Sequence, residues 1–157
     1  MPARPHYPDR LTAFALMGHP PLDRQHQDLE RCVRDLAESV RARDIVLVRG
    51  RACMLVEMLG EHFEAEEEMM RATNWSQIAR HKACHARLLF QARRFERLVA
   101  VSSLTPDIAS QGLNRLPELL RYHMIATDFG FAKHVLRLAR DPRPRLARRG
   151  QSAAQRG

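Results

Sequence analysis

Five histidines and two carboxylates fall into four groups along the chain: His26; His62 with Glu66; His81 with His85; and His123 with Asp128. Residues four apart on a helix face the same way, so His62/Glu66 and His81/His85 each offer a pair of donors on one face. Metal sites in helical bundles are built by side chains from facing helices that converge on the interior. Imidazole suits divalent iron, copper, nickel and zinc, and carboxylate oxygens bridge two ions; seven such groups are too many for one ion, so two are implied. Two octahedral ions offer twelve positions. The five histidines fill five, two bridging carboxylates fill four and one solvent-derived oxygen bridge fills two, which leaves one open. A small ligand such as dioxygen entering there draws an electron from each ion, which argues against redox-inert zinc.

A lone histidine on an apolar helix face is ordinarily a satisfied core or surface residue, and that reading is kept for His6, His19 and His134. A donor group on every helix, all able to point inward, sets the other five apart. The run Glu64, Glu67, Glu68 reads as a solvated face, with Glu67 also placed to accept a hydrogen bond from a liganding imidazole. One spacing is irregular: five residues separate His123 from Asp128, about 140° on a straight α-helix, so a π-bulge or other distortion is expected around Ile125 to Gly130.

The elements that must carry these residues are helical, because apolar positions recur at three and four and glycine is scarce. A first helix opens after Pro20-Pro21 and runs to about Arg43 on the stripe Leu29, Val33, Leu36, Val40. Asp44 caps a second, from Ile45 to about Ala72, with Val48, Ala52, Leu55, Leu59, Phe63 and Met70 inward. Asn74 and Gln77 have the form of a capping box for a third helix, which ends near Val101. Ser102 to Pro117 reads as the one long connection, with room for a short helical turn, and Pro117 as the first turn of a fourth helix ending near Arg140 at Asp141-Pro142. The expected fold is all-α, an antiparallel up-down-up-down four-helix bundle over residues 1–140, followed by a disordered basic tail over 141–157.

Composition sets the outer limits. The chain has 157 residues, 45% apolar and 28% charged, the balance of one globular domain with its own core. Its longest apolar run near the start, Leu11 to Gly18, is too short to span a bilayer and lacks a cleavage site, so neither a membrane span nor a signal peptide is expected. Cys32, Cys53 and Cys84 show no metal or disulfide spacing and read as reduced thiols of a cytoplasmic protein. Net charge is +8, and the six arginines against Asp141 after Leu138 supply five of those charges. No aromatic residues interleave with them to stack bases, so nucleic acid is disfavoured; a solvated tail, or a protein partner met through it, is expected instead.

Asp23-Arg24-Gln25-His26, His62-Phe63-Glu64-Ala65-Glu66-Glu67 with Met70, His81-Lys82-Ala83-Cys84-His85, and His123 through Asp128 together resemble the hemerythrins, in particular bacterial hemerythrin-like domains, from about Leu22 to Phe131. The resemblance implies a non-haem di-iron centre, two iron ions with a solvent-derived oxygen bridge. In it Glu66 and Asp128 would bridge, His81, His85 and His123 would complete one iron, and His26 and His62 the other, whose open site takes up dioxygen reversibly. The sequence departs from the family at Leu119, where a tryptophan often stands, at Leu11 to Met17 in place of an aromatic-rich arm, and at Cys84, often acidic in relatives. The histidine-rich ligand set favours an oxygen carrier, store or sensor over an enzyme, since oxygen-activating di-iron enzymes commonly carry Glu-x-x-His on two helices and none surrounds these residues. The alternative is a di-iron enzyme, or a redox-, nitric oxide- or iron-responsive sensor, using the same centre.

Overall fold

A computed structural model describes residues 18–140. The segment Leu11 to Met17, His6 and the tail 141–157 lie outside the described residues. Every regular element is helical, and among the described residues no helix is long and apolar enough to cross a membrane.

Helix α1 (Pro20–Ala42) starts on two prolines, whose missing amides fall where a helix has no intrahelical acceptor, and buries Leu22, Leu29, Val33, Leu36 and Val40 along one stripe. It ends at Arg43, held at φ 57°; that left-handed residue and Asp44 donate their amides to Val40 and Ser39, closing the last turn. The chain then reverses at once. The Asp44 carboxylate accepts from the amides of Val46 and Leu47, both at 3.1 Å, and starts α2 (Ile45–Ala72).

A tight turn leads to α3 (Ile78–Val101). Here the structure corrects the expected capping box: Asn74 adopts φ 50° inside the turn, and the residue that opens α3 is Gln77, whose side chain caps nothing. Asn tolerates the left-handed region, so the turn uses it for reversal rather than for capping.

The second correction concerns the fourth helix. Only Ser102 to Thr105 form a connection; the Thr105 hydroxyl then accepts from the Ile108 amide at 3.3 Å and opens a helical rod that continues to Arg140. The rod comprises α4 (Pro106–Ser110), a π-helical segment (Gln111–Arg115), α5 (Leu116–Tyr122), a second π-helical segment (His123–Asp128) and α6 (Phe129–Arg140). Pro117 therefore lies inside helical chain instead of starting it. A proline mid-helix lacks one amide and pushes its ring at the carbonyl four residues back. The π turn before it, in which the Leu116 amide donates to the Gln111 carbonyl, widens the ladder where the strain would fall.

Contacts between helices pair residue numbers in opposite order. Cys32 meets Arg51 and His26 meets His62; Arg49 meets Val99 and Glu66 meets His81; Phe95 lies against Gly112 and His81 against Asp128. Two apolar clusters result. The larger joins Leu29, Leu36, Leu55, Leu59, Leu88, Phe95, Leu116 and Leu120, and the smaller is Leu22, Met70, Trp75, Phe131 and Ala132. Each buried leucine or phenylalanine contributes about 1.5–3 kcal/mol. His26, Glu66, His81, His85 and Asp128 fall along their helices between residues of the two clusters, so the apolar ends hold a polar layer shut from water.

Candidate metal centre

All seven residues singled out by type and spacing are buried, and their donor atoms come together. They form two groups: Glu66, His81, His85, His123 and Asp128 in one, and His26, His62 and Asp128 in the other, with the donor atoms of each group within 4.8 Å of one another. Asp128 belongs to both. Its Oδ1 lies 3.0 Å from His123 Nε2 and 3.2 Å from His81 Nε2, while its Oδ2 lies 3.3 Å from His26 Nε2. Glu66 turns Oε2 to His81 and His85, at 3.1 and 3.0 Å, and leaves Oε1 buried without a partner.

The π segment His123–Asp128 explains how two residues five apart reach one point. A π turn closes from i to i+5, so residues at that spacing stack as residues four apart do in an α-helix. The distortion spans His123–Asp128, overlapping the expected Ile125 to Gly130 but starting and ending two residues earlier.

Outer contacts orient two of the rings. His85 Nδ1–H donates to Glu67 Oε1 at 3.0 Å, and Phe63 stacks on the imidazole with centroids 3.9 Å apart, which leaves Nε2 facing the centre. His62 Nδ1–H donates to Gln25 Oε1 at 3.2 Å. Glu67 was legible in the sequence; Gln25 was not. Its signal lies in α1, where Gln25 and Cys32, seven apart, share the side turned to α2. Trp75, packed edge-on to His81 at 5.4 Å, likewise escapes a reading confined to donor types. His134 instead contacts the Thr73 carbonyl at 3.3 Å, and His19 precedes α1; neither joins the centre.

The electrostatics call for cations. Burial, with His26 beside it, pushes His62 down to about 3, and burial likewise pushes His123 down to about 4, so both keep free lone pairs at neutral pH. Burial also lowers His81, but the Asp128 and Glu66 carboxylates beside it outweigh that and raise it to about 9. Burial and the neighbouring Asp128 raise Glu66, yet the hydrogen bonds from His81 and His85 prevail and hold it at about 2. Asp128 is held ionised in the same way, burial being outweighed by the rings of His123, His26 and His81. Two ionised carboxylates packed against the neutral imidazoles of His62 and His123 at one buried point are a donor set that a cation binds.

Alignment makes the same point. Asp128 Oδ1 and Oδ2, Glu66 Oε1 and His123 Nε2 are buried and make no aligned hydrogen bond, although several lie 3.0–3.3 Å from a potential partner. His26 Nε2 and His62 Nε2 face each other at 3.1 Å. The unaligned atoms of Asp128, Glu66 and His123 are aimed at points between neighbouring donors, the arrangement that cations satisfy. The set fits a metal centre.

Residues 18–135 match the family model described as the Hemerythrin HHE cation binding domain. The chain is also similar to a protein named Myohemerythrin from Theromyzon tessulatum, at 26% identity over 110 residues, covering 70% of this chain and 79% of that one.

Proposed function

From the premise that the chain belongs to the hemerythrin HHE cation-binding family, we propose that it is a non-haem di-iron protein that binds dioxygen reversibly, as a carrier, store or sensor. The fold reading that goes with it is an up-down-up-down bundle within residues 1–140, followed by an arginine-rich tail over 141–157. Three free cysteines support a reducing, cytoplasmic setting.

One observation carries the reading: the two donor groups are unequal and share Asp128. His81, His85 and His123 serve one ion and His26 and His62 the other, while Asp128 presents one oxygen to each side. Glu66 Oε1, buried and unpartnered, supplies a second bridging arm. With a solvent-derived oxygen between two ions, this donor set would leave one coordination position open on the two-histidine side. Two irons held there supply one electron each to a diatomic ligand at that position. The protein's own part is to exclude water and protons: Leu29, Phe63, Leu120 and Met124, all buried, belong to the apolar cluster that adjoins the centre. Shielding by these side chains would keep protons from a bound diatomic ligand, so that it could leave intact.

A second reading, an enzyme or redox sensor on the same centre, is favoured by Glu30. It stands one turn beyond His26 on α1, and its buried Oε1 has no partner. Burial raises its carboxyl above the ordinary range against the opposing pull of Arg34 and His26. A carboxyl with a raised affinity for protons, four residues from His26, would supply them to an irreversible reduction.

The deciding measurement is the visible spectrum of the anaerobically reduced, iron-loaded protein before oxygen, after oxygen, and after its removal. A charge-transfer band that appears and then reverses is expected. Irreversible passage to the ferric state, restored to reversibility by Glu30→Gln, selects the second reading; no iron-dependent spectrum overturns both.

A further inference from the structure

The centre is buried, yet one line of polar contacts joins it to the surface. Glu67 on α2 presents Oε1 to His85 Nδ1 at 3.0 Å and Oε2 to Lys82 Nζ at 2.9 Å. His85 turns its other nitrogen, Nε2, to Glu66 Oε2 at 3.0 Å. Lys82 is half exposed, and Arg71 approaches the same Glu67 oxygen only to 3.8 Å, more exposed still. Lys82 is one of just two lysines in the chain, set where a compact point charge meets a single carboxylate oxygen.

We propose that Lys82, acting through Glu67, is a positioning residue that sets the electron donation of His85 and thereby the reduction potential of the metal pair. The inference rests on the reading that the site holds redox-active iron. A carboxylate that accepts from a liganding imidazole fixes its tautomer and raises its basicity. The cation on the far oxygen weakens that acceptor. Without Lys82 the full carboxylate charge falls on the His85 N–H, the imidazole donates more strongly, and the ferric state gains. Without the Glu67 charge the imidazole donates less, its tautomer is no longer fixed, and the ferrous state gains. A solvent-exposed cation is also screened by salt, so its influence is adjustable from outside the fold.

The opposite signs make the test. In the iron-loaded full chain, Lys82→Met is expected to lower the midpoint potential and Glu67→Gln to raise it, and the gap between wild type and Lys82→Met is expected to narrow at high salt. Release of metal to a chelator is expected to quicken about 10- to 100-fold in Glu67→Gln and to change far less in Lys82→Met. In proton NMR the exchangeable His85 Nδ1–H signal is expected to move in Lys82→Met. Melting of the metal-free proteins guards against a merely structural bridge, which would lower both melting temperatures in parallel; shifts of a few degrees at most are expected. Potentials that move in the same direction, or a Lys82→Met protein with unchanged potential and N–H signal, overturn the inference. Failure of wild type to take up iron instead overturns the reading beneath it.

Discussion

The fourth helical rod contains two π segments, and they do different work. Gln111–Arg115 precedes Pro117 and brings Gly112 against Phe95 and Val40, where no polar group is served. His123–Asp128 turns two buried donors to one point amid five histidines. The first accommodates a missing amide and a close apolar approach; the second stores unpaired polar atoms that packing alone would not tolerate. A π turn is thus not in itself a mark of function. What distinguishes the two is whether the widened turn leaves buried polar atoms that only an added group can satisfy.

Removing the shared donors breaks the functional segment outright. Asp128→Ala takes an oxygen from each donor group, and metal content is expected to fall from two per chain to one or none. Glu66→Ala, which on the proposed reading removes the other bridging arm, is expected to do the same. His134→Ala, whose ring meets only the Thr73 carbonyl, should retain two. Metal analysis of gel-filtered protein reads all three, and two ions in both bridging variants would dissolve the assignment.

The next effect separates a titrating region from an inert one. In the metal-free protein His62 and His123 are held below their ordinary value, at about 3 and about 4, so the unfolded chain binds more protons and stability falls as pH drops below about 6.5. Glu66, lowered to about 2, adds to the loss below about 4.5. His81 has the opposite sign: raised to about 9, its contribution is full below about 6.5 and fades as pH climbs toward 9. Metal-free protein should therefore be most stable near pH 6.5 and weaken on both sides. Bound metal replaces the proton on His81, so the alkaline decline should vanish on loading. Chemical denaturation across pH, with and without iron, checks both limbs. In the apolar cluster burial pushes the Cys32 thiol up to about 11 and keeps it neutral throughout.

A smaller perturbation probes the structural segment. A Cβ on Gly112 would lie 2.9 Å from Phe95 Cζ and 3.1 Å from Val40 Cγ2, both parts of packed, buried side chains. Overpacking of this kind costs about 1–3 kcal/mol. Replacing a helical glycine by alanine returns about 0.5–1 kcal/mol. Gly112→Ala is expected to destabilise by about 1–2 kcal/mol while metal content and spectrum stay as in wild type. A changed spectrum would mean that the two π segments are coupled along the rod.

The sequence announces these regions unevenly. Strict spacing made α2 readable from Asp44 to Ala72, because a capping carboxylate, an apolar stripe and a following break agree with one another. The donors were readable because histidine and carboxylate are uncommon on inward faces and because five-residue spacing demands a distortion. Pro117 misled, since proline marks a helix start only where no π turn lies ahead to receive it. Asn74 misled for a related reason: its side chain suits a cap and its backbone suits a left-handed turn, and the reversal between α2 and α3 decided in favour of the turn. Gln25 stayed hidden because its role depends on where His62 of another helix places Nδ1, a matter of register that one helix does not contain.

The mildest change is also the sharpest test of why the two π segments exist. If His123–Asp128 is widened because one residue too many lies between two donors, deleting that residue should close the turn without parting them. Ala126 is exposed, lies midway, and contributes to neither apolar cluster. Its removal places His123 and Asp128 four apart, where a regular α-helix puts them on one face, and leaves the register of Phe131 and Ala132 against Trp75 in place. Deletion of Ala126 is therefore expected to preserve two metals per chain, with helical content unchanged and a melting temperature within a few degrees of wild type. Deleting Ile125 and Thr127 as well would leave the two donors two apart, about 200° round the helix and on opposite faces, and metal should be lost. Loss already at the single deletion would mean that the π turn sets the centre's geometry and does not merely absorb an extra residue.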